Sequence, residues 1–431
     1  MKKELIQEIG LKKDLGLFTT TAAGVGVILG AGIYVLIGVA AGIAGNAVWL
    51  SFLISALVAI FTGFSYAELS SMFTKDSGEY EYVKQGLGSR LGFMALYSIL
   101  IAGITSGTTV ALGFSGYLAK LIGNVPIWLP AAVLIIIFTI VNIRGIKHSA
   151  SLNVIFTLVE VAGLLLIIFI SVPYIGDVNY LDMAKGFTGV LNAAALVFFA
   201  FIGFEGVIKL SEETKNPEKT IPRALLLSIA ISSIIYLLVA IAAVSVIGWE
   251  TLGQSSSPLA DVAQHVLGSG AGLFLTLIAL VSTGNTVLLT LLMASRTFYG
   301  FGEEINKLKF LSKVNSKTRT PVTSIIITMV VALAFLFLKK IEVIAEIANF
   351  SIFLAFALVN LSLIRLRYKL PKKKRRFRSP CNFGKCSVMA VLGFIISLFM
   401  MLNLQLYVIG WGIFLTAIGL ILGEIFNGKN K

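Results

Sequence analysis

The chain has 431 residues, of which 57% are hydrophobic and 13% charged, with a formal net charge of +14. Charged residues stand at about half the ~25% usual in soluble domains, which excludes a soluble globular protein of this size. The positive balance would point to nucleic acid in a soluble chain; in an apolar one it points to basic cytoplasmic loops, and no nucleic-acid partner is expected.

Apolar runs of about 20 residues recur along the whole chain, each long enough to cross a bilayer as a helix. They lack the alternation of barrel strands. Twelve spans are predicted, near 17–43, 47–73, 91–122, 127–143, 151–172, 188–208, 225–247, 271–295, 322–338, 343–364, 387–404 and 407–426. The first run exceeds a signal-peptide core and more spans follow, so no cleaved leader is expected. With both termini in the cytoplasm, this arrangement leaves only Lys120, Lys185, Lys339 and Lys340 outside, of 35 Lys and Arg. Such asymmetry is the positive-inside signature of a multi-pass protein of the cytoplasmic membrane. The densest basic run, KLPKKKRRFR before the eleventh span, reads as a topology anchor, with a lipid head-group site as the alternative. Cys381 and Cys386 follow that run at the end of the basic loop and imply neither a disulfide nor a metal. His148 and His265 are too few for a His-built metal site.

Two spans look interrupted. Span one carries GVGVILGAGIYVLIG, and span six carries FFAFIGFEGV, with Gly203 and Gly206 flanking Glu205. They lie five spans apart, so each opens one half of a five-plus-five arrangement whose second half is inverted. Paired Gly-interrupted segments at corresponding positions point to a midplane binding site in a transporter. Gly26 and Gly30 also form a G-x-x-x-G, which alone would mean close helix packing.

Three acids sit where ionisation is costly. Glu68, near the cytoplasmic end of span two, is expected to reach the interface or pair with a loop cation. Glu205, at the suspected break, either accepts from freed backbone N–H groups or faces a substrate amine. Glu160 lies near mid-depth of span five. Burial there favours its protonated form unless a cation pairs with it. It is therefore a candidate proton-coupling group, the plainer reading being a neutral acid bonded to a neighbouring helix.

The stretch FFAFIGFEGVIKLSEETKNPEKTIPRAL, 198–225, resembles the signature of the amino acid–polyamine–organocation transporters, matching through Glu212, Glu213, Asn216, Pro217, Lys219 and Pro222. GVILGAGIY resembles that family's span-one motif, and SYAELSSMF, SGEYEYV, NIRGIK and SSSPLADVAQHVLG follow in the same order. The resemblance covers about residues 17–370. It implies an all-α, LeuT-like fold: a first inverted repeat over 17–172, a second over 188–364, a basic loop at 365–386, two further helices over 387–426, and cytoplasmic ends at 1–16 and 427–431.

It also implies a site between the two breaks. The amides of Gly30, Ala31 and Gly32 would face a substrate carboxylate at a half-helix N-terminus. Carbonyls of Phe199, Ala200 and Ile202 would accept from the amine, beside Gly203 and Glu205. Phe199 stands where relatives carry an aromatic gate. Thr105, Ser106, Thr109 and Phe350 are candidates to line the pocket. Some relatives carry a lysine at the Glu160 position, facing Gly26, Leu29, Ser282 and Thr283. Glu inverts that charge, so the coupling ion is H⁺ first and Na⁺ second. A proline usual near Lys309 is missing, with no functional change inferred.

The resemblance implies secondary transport of an amino acid by alternating access, with no cofactor. The alternatives are a cationic amino acid or polyamine exchanger, a sodium symporter, or a non-transporting sensor. An enzyme is not expected: no nucleophile–base pair, metal-ligand cluster or phosphate loop is legible. Oligomeric state and the side chain recognised stay open.

Overall fold

The protein is described here from a computed structural model, which describes residues 15–73, 78–123, 125–144, 150–211, 213–304 and 308–427. Most of the N-terminal segment 1–16 and of the tail 427–431, the motif residue Glu212, His148 and the last three residues of NIRGIK lie outside them. Among the described residues the fold is all-helical apart from one short hairpin. Span one is two helices, α1 (Leu17–Ile28) and α2 (Gly32–Ala44), followed after a turn at Gly45 by α3 (Val48–Met72). Next come α4 (Gly78–Leu87), α5 (Ser89–Ile122), α6 (Trp128–Arg144) and α7 (Ala150–Ser171). Span six is α8 (Gly186–Val197) and two 3-10 segments, Phe198–Phe201 and Phe204–Leu210. The chain continues through α9 (Pro217–Gln254), α10 (Pro258–Leu267), α11 (Ser269–Glu304), α12 (Val322–Phe335) and α13 (Ile341–Lys369). The hairpin β1 (Asn382–Phe383) and β2 (Cys386–Ser387) precedes α14 (Val388–Leu402) and α15 (Leu406–Asn427).

Eight helical stretches among the described residues are long and apolar enough to cross a membrane. Leu17–Ile28, Trp128–Arg144, Val322–Leu338 and Val388–Leu402 are apolar but shorter. This is a multi-pass membrane protein. The interruption expected in span one falls between α1 and α2, whereas α4, α10 and the hairpin have no counterpart in the sequence reading. Those elements are short and lie between the spans, where hydropathy carries no signal. α5 has 34 residues and is thus about 51 Å long, well beyond the ~30 Å hydrocarbon core. Its apolar pattern could not show where it leaves the bilayer.

Layering follows burial. α2, α5 and α13 are mostly buried, whereas α6, α14 and α15 expose apolar faces such as Ile136, Ile137, Ile140, Leu398 and Leu402. Without a hydrophobic drive between helices in lipid, polar side chains help to hold them together. Ser51 donates to the Val190 carbonyl (2.8 Å) and Ser55 to that of Ala194 (2.7 Å), tying α3 to α8. Asn349 on α13 donates to the carbonyls of Ala195 (2.6 Å) and Leu196 (2.9 Å). These acceptors belong to the last turn of α8, whose carbonyls lack full intrahelical partners. Their capture lets the helix stop inside the apolar interior.

At the other polar cluster, Glu68 on α3 meets the guanidinium of Arg367 on α13 in a two-pronged pair (2.9 and 2.5 Å). The Ser379 amide (2.9 Å) and Arg375 Nε (3.1 Å) complete its surroundings. The sequence expectation that Glu68 pairs with a cation is met, with α13 adding an unforeseen partner. Cys381 and Cys386 are free thiols.

Candidate substrate cavity between two broken helices

α1 ends at Ile28 because residues 29–31 leave the helical path, and α2 restarts at Gly32. In span six the break falls at Ile202 and Gly203, where Gly203 takes φ 119°, a left-handed conformation that suits glycine. The breaks touch each other. A Cβ on Gly32 would come within 2.7 Å of the Ala200 Cα, and one on Gly203 within 2.9 Å of Val27 Cγ1. Glycine is thus required by close approach at Gly32 and by both backbone and space at Gly203. Tyr236 of α9 spans the pair: its hydroxyl lies 2.5 Å from the Ile28 carbonyl and 2.8 Å from that of Ala200.

Between the breaks, α5 and α11 lies a cavity of about 150 Å³, roughly ten times what one water needs. Gly30, Ala31, Gly32, Ser106, Phe199, Ala200, Ile202, Gly203 and Glu205 line it, as the sequence expectation had them. Thr105 does not. Its hydroxyl turns back to the Ile101 carbonyl (2.7 Å), a helix-internal bond that leaves nothing to offer the cavity. Thr109 and Phe350 are likewise absent from the lining; Phe350 packs where α15 approaches at Gly412.

The amides of Gly30, Ala31 and Gly32 stand at the start of α2, where first-turn N–H groups lack intrahelical acceptors. That of Ala31 points to the Thr286 hydroxyl in a long contact of 3.5 Å. Ser106 Oγ is buried and, among the described residues, has no hydrogen-bond partner. The expected amine acceptors are partly engaged. The Phe199 carbonyl accepts from Ile202 N (3.2 Å) and that of Ala200 faces Tyr236, because the 3-10 turn keeps local bonds that a free break would release. Glu205 Oε2 accepts from the Gly203 amide (3.0 Å), so it answers a freed backbone donor and lines the cavity at once.

Residues missed in the sequence include Thr286, Thr290 and Thr297 on α11, Lys209 one turn after Glu205, and Tyr236. The threonines had a readable signal. Ser282, Thr286 and Thr290 are spaced by four, so they share one helix face, which periodicity alone could have selected. Tyr236 had a weaker one: a lone phenol in an apolar span needs a partner for its hydroxyl.

The predicted coupling group gathers only in part. Glu160 is buried on α7, and Ser282 Oγ donates to its Oε1 at 2.5 Å. Tyr34 of α2 donates to the Glu160 backbone carbonyl (2.8 Å). Among the described residues, no cation forms an ion pair with Glu160. Gly26 packs not on Glu160 but on Thr157, one turn away, where a Cβ would meet Thr157 Cγ2 at 2.6 Å. Thr283 faces away from Glu160 and donates to its own helix at Ala279 (2.6 Å), the adjacent position placing it on another face. Leu29 is fully buried, its amide bonded to the Val25 carbonyl (2.8 Å).

A family model described as amino acid permease matches residues 15–422. The chain is 29% identical to a branched-chain amino acid permease of Bacillus subtilis (strain 168), covering 98% of this chain and 95% of that one. It is 29% identical to a methylthioribose transporter of the same organism, over 86% of this chain and 84% of the relative. A vacuolar cationic amino acid transporter of Arabidopsis thaliana is also 29% identical, over 84% of this chain and 64% of its own length.

Proposed function

The chain belongs to the amino acid permease family, and on that premise we propose that it carries a neutral, branched apolar amino acid across the cell membrane by alternating access, coupled to protons. The carrying observation is the cavity, whose wall is largely apolar, with Val27, Ile28, Ile99, Val110, Ile202 and Ile352, while its polar groups cluster at the helix breaks. A zwitterion fits that division. Its carboxylate meets the first-turn amides of α2, whose dipole favours an anion. Its ammonium meets the carbonyls of Ile28 and Ala200, and its side chain lies on the apolar wall. Lys209 in the lining disfavours a cationic side chain. The relative named as a branched-chain amino acid permease, matched over nearly its whole length, supports this choice over the cationic transporters.

The architecture that accompanies this reading has twelve spans. The first ten form two inverted repeats that open on the two broken helices, with α14 and α15 outside them and both termini in the cytoplasm. Rocking of one bundle against the other around the cavity would expose it to each side in turn. Glu160 is the proton carrier in this scheme: protonated, it is neutral in the apolar interior, and it releases its proton when water reaches α7. Uptake of radiolabelled leucine, isoleucine, valine and arginine into proteoliposomes under an imposed pH gradient tests both parts. Uptake of leucine, isoleucine and valine with arginine excluded is expected. Preferential arginine exchange without any gradient would instead identify a cationic amino acid exchanger.

A further inference from the structure

The basic loop after α13 is more than a scattered charge run: Lys373, Arg378 and Lys385 are exposed, yet they gather beside the buried Arg367 and the half-buried Arg375. Arg367, Lys373, Arg375, Arg378 and Lys385 line one half-open cavity of about 290 Å³ together with Pro371. Its frame is fixed. Phe377 stacks on Phe64 of α3 at 6.4 Å, Ser71 donates to the Phe377 carbonyl (3.2 Å), and the Ser379 amide donates to Glu68 (2.9 Å). Lys373 Nζ sits 3.6 Å from the centre of the Phe73 ring.

Among the described residues the charges there do not balance. Among the described residues, Glu68 is the carboxylate within ion-pair distance, and it is taken up by Arg367 and Arg375. Lys373, Arg378 and Lys385 have no such partner among the described residues. Burial lowers Arg375 from its ordinary value, and Arg367 and Arg378 lower it further against the pull of Glu68. Burial also lowers Lys373, with Glu81 opposing and Arg375 adding to it. A topology signal needs lysines and arginines on the correct side of the membrane; it does not need them pointed at one another. Like charges held together in a rigid, half-enclosed space are costly unless an anion joins them.

We infer that this cavity is a binding site for a phosphate-type anion, a phosphate ester held by Arg378 and Lys385 with Lys373 alongside. Guanidinium forks match the paired oxygens of a phosphate. A phospholipid head group is the source the surroundings favour. The hairpin tip beside Lys385 presents Phe383, 81% exposed, and an aromatic ring at the level of the head groups is at home there. Basic pockets next to membrane helices on the cytoplasmic side suit anionic lipid head groups. This site is independent of the substrate cavity and of the ion that drives transport.

The test uses the full chain purified in neutral detergent, with the thermal unfolding midpoint as readout. Short-chain phosphatidylglycerol, phosphatidylcholine of the same chain length and inorganic phosphate are titrated separately. Phosphatidylglycerol is expected to raise the midpoint and phosphatidylcholine to leave it unchanged. The variant R378Q/K385Q should need roughly tenfold more phosphatidylglycerol for the same rise. K372Q/K374Q, which removes equal charge from the same loop outside the cavity, should behave as the parent. If inorganic phosphate alone reproduces the rise and R378Q/K385Q weakens it, the site stands with a free anion as ligand. Equal rises with both lipids, no rise with either anion, or equal weakening by the two double variants would overturn the inference.

Discussion

Ser282 on α11 donates to Glu160 on α7 at 2.5 Å, joining two helices through a pair of buried polar side chains. A carboxyl held there by one hydroxyl, with no cation paired to it among the described residues, is cheap to keep neutral and costly to charge. Glu160→Gln preserves the shape and can still accept from Ser282, so folding should survive. Uptake driven by a pH gradient should fall at least tenfold, with exchange of substrate for substrate retained. Sodium-driven uptake at fixed pH, unaffected by the gradient, would reassign Glu160 to a sodium role.

Tyr236→Phe removes the only hydroxyl that reaches both the Ile28 and Ala200 carbonyls among the described residues. The ring stays packed against Phe201 (5.2 Å) and Phe52 (5.8 Å), so the change is local. Loss of one such bond inside a membrane protein costs about 1 kcal/mol. A lower unfolding midpoint and uptake reduced several-fold are expected; unchanged uptake would show that the bridge is dispensable.

Gly32→Ala places a methyl group 2.7 Å from the Ala200 Cα, backbone that cannot step aside without separating the breaks. Such overpacking costs about 1–3 kcal/mol. Transport should be lost even where protein remains folded in the membrane. Gly300→Ala on α11, with nothing within 4 Å, is the matched control and should be near neutral.

Glu68→Ala strands Arg367, 3% exposed, without its carboxylate. Removing one partner of a buried pair costs about 3–5 kcal/mol. Yield and unfolding midpoint should both drop sharply. Glu68→Leu with Arg367→Leu should recover part of the loss, because no uncompensated charge from α13 then remains buried there.

Lys209→Gln takes a cation out of the cavity wall while Glu205 stays. Arginine and lysine should then compete with leucine uptake about tenfold better than in the parent, since a like charge no longer opposes them. Competition unchanged by the substitution would show that Lys209 does not face the substrate side chain.

Much of this was legible in the sequence for identifiable reasons. The breaks announced themselves because Gly203 and Gly32 are weak helix formers inside apolar runs, and the resemblance of the loop behind Gly203 placed them in one family. Glu160 and Glu68 stood out because charge at membrane depth is costly. What escaped depended on facing rather than type. Thr105 looked like a pocket residue, but its hydroxyl is spent on its own helix. Thr283 looked like a partner for Glu160, but its neighbour Ser282 has the right face. The convergence of Arg378 and Lys385 depends on a two-residue hairpin that no periodicity signals.

A phenolic hydroxyl has a single hydrogen to donate, and Tyr236 holds it between two carbonyl oxygens. One of those oxygens is always the poorer for it. Both belong to residues that line the cavity, so under the proposed function a substrate ammonium arriving there would bring the hydrogens that the two oxygens otherwise share. Loaded and vacant forms must therefore differ in resistance to heat, by the free energy of occupancy. A melting curve recorded against each amino acid in turn would then name the cargo before any vesicle had been made to carry it.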